Sequence, residues 1–220
     1  MIVYGSSLSP FVRKVLAFGT GKAIALDLKP AGMGRGGPDF EEASPFRKMP
    51  GFRDPGADDG RDFCISDSTA IVAYLEARFP DPNLIPTAPI ARARTIWYEE
   101  FADTIVMAAG GKMFFNRFVA PKVLKVQGDT GVADKAEAEE LPVLLDYIER
   151  VVPDSGFLVE DRITLADISV ASPFVNLAHI GVGVDAARWP KAAAYIAGIL
   201  ARPSFAPIIA NERAMVAGMG

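Results

Sequence analysis

The sequence is poor in chemically reactive side chains, holding one cysteine, Cys64, and one histidine, His179. A single cysteine excludes an internal disulfide, and the two residues together are too few for a conventional zinc site. A chain without disulfides suits a reducing compartment, and a cytoplasmic protein is expected. Lysines and arginines never run longer than two in succession and the formal net charge is −4, so no nucleic-acid surface is indicated. The longest uncharged run, Ile168 to Val184, has 17 residues and includes Ser, Pro, Asn and His. It is short for a membrane span and reads as a buried helix with its loop. No basic segment leads into an apolar stretch near Met1, so no signal peptide is expected. What is present is a sizeable core: 50% of 220 residues are hydrophobic, enough for one large folded domain or two small ones.

The organisation changes once along the chain. Ile2 to Tyr4 reads as a strand, and Pro10 to Phe18 as a helix through Val12, Val15 and Leu16. Ile24, Leu26 and Leu28 alternate as in a half-buried strand. Pro30 to Phe40 carries too many glycines for regular structure and is expected to be a mobile loop. Gly51–Arg53 and Phe63–Ile65 read as short strands around the polar turn DPGADDG, and Ser68 to Phe79 as a helix stopped by Pro80. Then FPDPNLIPTAP, Phe79 to Pro89, has four prolines and the composition of a linker. Beyond it only helical patterns occur: Ile90–Val119, Ala133–Val152, a helix from Thr164 and another over Pro190–Ala201. An alternating α/β half therefore precedes an all-α half.

Four local patterns carry chemistry or capping. Ser9-Pro10 has the composition of an N-cap followed by the first helical residue, and Ser6 and Ser7 stand beside it at the carboxyl end of a strand, where open α/β folds bind ligands. In KMPGF, Pro50 precedes a strand; a cis Met49–Pro50 bond would turn the chain and leave the Met49 main chain open to an extended peptide, while a trans proline at a strand start is the commoner case. Asp67-Ser68 opens an apolar helix, either as a plain cap or as a receiving site for a carboxylate. Thr164 and Asp167 form the pattern of a capping box, with Ile163 and Ile168 spaced as a hydrophobic staple.

These patterns occur in one order, and in that order the chain resembles the soluble, cytosolic glutathione transferase superfamily over essentially its full length. SPFVRKV is similar to the active-site segment of serine-type members, SPFRKMP to their NPxxKVP segment, and SDSTAIVAYLE to their ES-x-AI-x-YL segment. The linker and the T-x-A-D cap match as well. The resemblance implies an α/β thioredoxin-like glutathione-binding domain over 1–79, a linker over 80–89 and an all-α domain over 90–220 that contributes the pocket for an electrophile. It places the catalytic serine at Ser9, the contact to the glycine carboxylate of glutathione at Lys48, main-chain pairing with its cysteine at Met49 beside the cis residue Pro50, and its γ-glutamyl end at Asp67 and Ser68. Classes with the active residue nearer the strand would use Ser6, and tyrosine-type members Tyr4, although those lack the Ser-Pro helix start. The chain departs from the pattern at Asp67, where Glu is usual, at Ser44, where Asn is common, and in the glycine-rich stretch Gly32 to Gly37.

The implied function is a glutathione transferase, with a role in detoxification: the thiol of glutathione, a co-substrate, is activated to attack an apolar electrophile. Neither a metal nor a membrane or nucleic-acid partner is implied, and a homodimer is. A glutathione-dependent isomerase or dehalogenase, or a non-catalytic interaction protein of the same fold, are the alternatives. Cys64 reads as a packed small hydrophobe, and His179 as a semi-buried histidine with no acidic residue near it in sequence. Trp97, Phe101, Met107, Phe114 and Phe118 recur near helical spacing, either as core or as lining for an apolar co-substrate.

Overall fold

Residues 1–32 and 34–219 are described by the computed structural model; the remaining two, Met33 and Gly220, lie outside the described residues. The chain divides into two compact units, Met1–Leu84 and Ile85–Gly220.

In the first unit, strand β1 (Ile2–Gly5) leads through helix α1 (Pro10–Gly21) to β2 (Asp27–Pro30), which lies parallel to β1. Ser9 occupies the N-cap in an extended conformation (φ −78°, ψ 124°) and Pro10 follows it, where its fixed φ suits the first helical turn. Val12, Val15 and Phe18 on α1 are wholly buried, each contributing roughly 1.5–3 kcal/mol by leaving water. The alternation of Ile24, Leu26 and Leu28 persists in their half-buried state, yet the strand forms only from Asp27, where Ile2 supplies a partner.

Helix α2 (Gly37–Ala43) corrects the expectation of an unstructured loop over Pro30–Phe40. The glycines are confined to a tight turn in which Gly32 and Arg35 exchange main-chain hydrogen bonds of 3.0 and 3.1 Å. Gly36 then serves as N-cap with φ 119° and a proline follows within the first helical turn. The helix formers come after that point, so a glycine-rich segment conceals a helix start. Phe40 and Ala43 pack with Tyr4 and Ala31 on one face of the sheet.

The hairpin is also longer than the sequence indicated. Strands β3 (Gly51–Asp58) and β4 (Arg61–Ser66) are antiparallel, with a register irregularity between Asp54 and Asp58. The turn is Asp59-Gly60 alone, both at positive φ (49° and 86°), which two-residue hairpin turns of right-handed twist require. Most of DPGADDG is therefore strand. Helix α3 (Ser68–Arg78) buries Ile71, Val72 and Leu75 and ends before Pro80, whose ring disfavours helix at the preceding residue. The sheet order is β2-β1-β3-β4.

The segment after α3 is fastened to this unit. Glu76, on the buried side of α3, accepts from Lys22 Nζ (2.7 Å), Asn83 Nδ2 (2.7 Å) and the Leu84 N–H (3.2 Å), and Lys22 also donates to the Pro82 carbonyl (2.6 Å). The Asp81–Pro82 bond is cis, which the sequence reading did not foresee.

The second unit is helical. One rod runs through α4 (Pro89–Glu100), a π-helical segment (Phe101–Val106), α5 (Met107–Phe114) and a second π-helical segment (Phe115–Leu124). A second rod comprises α6 (Thr130–Lys135), π-helical Ala136–Glu140 and α7 (Leu141–Val151). Helix α8 (Leu165–His179) is buried from Leu165 to Leu177, as expected of a helix apolar on all sides. Helices α9 (Pro190–Leu200) and α10 (Ala206–Ala217) complete it; α10 went unforeseen, its apolar residues being spread around the helix rather than along one face. The aromatic series does not form one buried stripe: Phe101 and Phe118 are buried, whereas Trp97 is half exposed and donates to the Tyr147 hydroxyl (3.1 Å). Among the described residues no helix is long and apolar enough to cross a membrane.

Candidate functional site

Sheet register assembles the site. Tyr4 pairs with Gly51, and Gly51 with Ser66, so one row crosses three adjacent strands, about 4.8 Å apart. Three chain segments leave or enter the sheet at that row: Ser6–Ser9 after β1, Lys48–Pro50 before β3, and Asp67-Ser68 after β4. Segments as far apart in the chain as Ser6 and Ser68 are thereby gathered at one end of the sheet.

Ser9 caps α1 through its main chain. Its N–H donates to the Ser6 carbonyl and its carbonyl accepts from the Arg13 N–H, both at 2.9 Å. The hydroxyl makes no capping bond, which corrects the expectation that it would. It is partly exposed, as is Ser6, whereas Ser7 is buried. Tyr4 is 4% exposed with its ring 6.4 Å from that of Phe40, on the α2 face and enclosed by the core, a position that counts against it as a ligand contact.

The Met49–Pro50 bond is cis, so the less common alternative holds. Among the described residues no hydrogen bond to the Met49 main chain occurs. The Met49 side chain packs so closely on Gly32 that a Cβ there would lie 2.5 Å from its sulfur. Gly32, at φ 92°, is thus needed for conformation and for space alike. Lys48 is exposed, but its main-chain N–H and carbonyl are both hydrogen-bonded to the Ser44 hydroxyl.

At the entrance of α3, Asp67 Oδ1 accepts the Thr69 and Ala70 N–H groups at 2.9 and 3.2 Å. Asp67 has φ 84° and ψ 128°, a region few residues other than glycine adopt, and such strain concentrates at ligand sites. Ser68 is 2% exposed.

The other sequence candidates lie apart from this row or are occupied. Cys64 packs against the Tyr4–Phe40 cluster, and burial pushes its thiol above the usual cysteine range, the reverse of what a nucleophile needs. His179 does have an acidic partner: its Nε2 is 3.1 Å from Glu212 Oε2, a fully buried carboxylate on α10. Thirty-three positions separate the two, a distance that no local pattern reveals. Cavities of about 440 Å³, near Tyr195 and Arg202, and about 680 Å³, near His179 and Arg213, lie within the helical unit and include none of the row residues. Among the described residues no group of three His, Cys, Asp or Glu is placed to hold a metal.

A β2-β1-β3-β4 sheet with a cis-proline at the head of β3, followed by a helical unit, defines a thioredoxin-like domain joined to an all-α domain. The family model for the glutathione S-transferase N-terminal domain matches residues 3–83, and that for the C-terminal domain residues 106–203. The chain belongs to the glutathione transferase superfamily. It is 29% identical over 215 residues to a glutathione S-transferase of Hyoscyamus muticus, covering 95% of this chain and 97% of that one. It is 26% identical over 195 residues to a stringent starvation protein A homolog of Coxiella burnetii, covering 88% and 81%. The crystal structure of glutathione transferase F2 from Populus trichocarpa superposes with a TM-score of 0.80 at 25% identity, covering 97% and 99%.

Proposed function

We propose that the protein is a serine-type glutathione transferase and that the row at the end of its sheet binds glutathione. The observation that carries this reading is the register Tyr4–Gly51–Ser66, which brings a hydroxyl, an open main-chain segment and a helix entrance side by side. In this assignment the cysteinyl main chain of glutathione pairs with Met49 as an added strand would, beside cis Pro50. Lys48 meets the glycine carboxylate. Asp67 faces the α-ammonium and Ser68 receives the γ-glutamyl carboxylate. Because Asp67 already takes the Thr69 and Ala70 N–H groups, the carboxylate belongs at Ser68 or not at this entrance.

Ser9 is assigned the chemistry. A free thiol with pKa about 8.5 is mostly protonated at neutral pH, and a hydroxyl that donates to the sulfur favours the thiolate. The Ser9 hydroxyl is not engaged in capping, which leaves it available for that bond. Ser9 itself needs no base, because it donates a hydrogen bond and never becomes a nucleophile; the thiol proton passes to solvent. The thiolate attacks the electrophilic carbon of an apolar co-substrate and the leaving group departs with the electron pair. A cytoplasmic homodimer active in detoxification completes the reading; Phe46, 85% exposed on the loop before Lys48, is the kind of side chain a subunit interface covers.

The test is retention on immobilised glutathione followed by assay of glutathione consumption with chlorodinitrobenzene. Retention with consumption supports a transferase. Retention without consumption would point to the isomerase or dehalogenase alternative, and no retention to the non-catalytic one.

A further inference from the structure

Lys48 is exposed and carries its ammonium on a flexible stem, so its aim depends on the main chain beneath it. That main chain is gripped by one buried hydroxyl. Ser44, with 0% exposure, donates from Oγ to the Lys48 carbonyl at 2.7 Å and accepts the Lys48 N–H on the same Oγ at 3.0 Å. Its carbonyl takes the Arg47 N–H at 2.8 Å, which supports the positive φ of Arg47, 54°. Ser44 is itself anchored. Its N–H donates to the Phe40 carbonyl (2.8 Å) at the end of α2, and α2 is tied to the sheet by Phe40 and Ala43 in the Tyr4 cluster and by the Glu42–Arg53 pair at 2.6 Å. An unbroken series of contacts therefore runs from the sheet through α2 and Ser44 to Lys48.

We infer that Ser44 is a positioning residue of the ligand site, holding Lys48 so that its ammonium meets the glycine carboxylate of the tripeptide; this rests on the glutathione reading above. The hydroxyl both donates and accepts, so one small side chain satisfies both polar groups of the Lys48 main chain. Alanine would leave both without that partner and release the residue whose ammonium is to be aimed.

The prediction is confined to one end of the ligand, and that makes it testable. Calorimetric affinities are to be measured for glutathione and for γ-glutamylcysteine, which lacks the glycine carboxylate. The unsubstituted protein should prefer glutathione. Ser44→Ala should lower glutathione affinity about three- to tenfold, the range for loss of one ordinary hydrogen bond, and leave γ-glutamylcysteine affinity unchanged. Ser44→Cys, closer in size and a weak hydrogen-bonding group, should act in the same direction if the alanine variant does not fold. In a Lys48→Met background the Ser44 substitution should add nothing. Equal losses for the two peptides, or an additional loss in the Lys48→Met background, would overturn the inference and leave Ser44 a structural residue only. Equal affinities of the unsubstituted protein for the two peptides would overturn the Lys48 assignment while leaving the glutathione reading intact. Failure of that protein to bind either peptide would overturn the reading itself.

Discussion

Two aspartates at helix entrances, Asp67 at the N-cap of α3 and Asp167 at the third position of α8, are used differently. Asp167, in the helical unit, is 0% exposed and accepts from the Thr164 N–H (2.9 Å), the Thr164 hydroxyl (3.2 Å), the Leu158 N–H (2.9 Å) and the Tyr195 hydroxyl (3.2 Å). Burial pushes its carboxyl above the usual range and these donors oppose the shift; four donors converging on one group are an arrangement for the charged form. Asp67, in the α/β unit, is exposed, sits at φ 84°, and uses one oxygen for two amides. The first is fully committed within the fold. The second caps α3 through one oxygen from a costly backbone conformation. Under the proposed glutathione assignment, that difference would separate a residue that only maintains structure from one that also serves a ligand, and substitutions can test it.

The largest effect is expected at Asp167. Asp167→Ala leaves several buried donors without an acceptor, at about 1–3 kcal/mol each. A total loss above about 3 kcal/mol in denaturant unfolding is the expected outcome; a loss under about 1 kcal/mol would abolish the contrast. Next is Ser68→Ala, which should weaken glutathione binding by about 1.5–3 kcal/mol, the value of a hydrogen bond to a charged group, as read by calorimetry. Unchanged affinity there would remove the γ-glutamyl assignment.

Ser9→Ala sharpens the comparison within a single residue. Because the hydroxyl does not cap α1, stability should change by less than about 0.5 kcal/mol. The bound thiol, however, should titrate roughly one to two units higher, since a bond of about 1.5–3 kcal/mol is divided by about 1.4 kcal/mol per unit. The sign follows from removing a donor that favours the anion: thiolate absorbance appears at higher pH and turnover at pH 7 falls. If Ser6→Ala produces that shift and Ser9→Ala does not, the assignment moves to Ser6.

A smaller effect of opposite sign is expected at Asp67. Asp67→Gly relieves a strain of about 1–3 kcal/mol, loses a few tenths in capping and about 0.4–1 kcal/mol through the freer unfolded chain. Stability should hold or rise by about 1 kcal/mol while glutathione affinity falls; thermal unfolding and calorimetry measured together decide it. The smallest effect is at Cys64. With its thiol pushed up by burial, alkylation followed by mass spectrometry should be slower at neutral pH than for a free cysteine, and Cys64→Ala should retain full turnover. Rapid labelling with loss of turnover would place Cys64 in the site.

Much of the α/β unit was legible because its signals are local. Ser9-Pro10 and Asp67-Ser68 mark helix starts by their own chemistry, and the alternation at Ile24, Leu26 and Leu28 survives as alternating burial. Legibility failed where a local signal was masked or a partner was distant. The glycines around Gly36 concealed α2, and the irregularity between Asp54 and Asp58 made a strand look like a turn. Ser44 was visible only as a departure from a family pattern. Lys22 with Glu76, and His179 with Glu212, are pairings across 54 and 33 positions, which periodicity cannot link.

The sequence by itself determined where many of the helices and strands begin, though not α2 or α10, that an α/β half precedes a helical half, and which short segments carry hydroxyls, a proline and acidic groups. These follow from backbone preferences and apolar periodicity, both properties of neighbouring residues. Tertiary structure decided how each side chain is used: that the Ser9 hydroxyl is not a cap, that Tyr4 is enclosed in the core, that Ser44 grips Lys48, and that Asp67 is strained while Asp167 is satisfied. Hydrogen bonds and burial depend on which atoms meet, and it is the Tyr4–Gly51–Ser66 register, set by pairing between distant strands, that brings those atoms together.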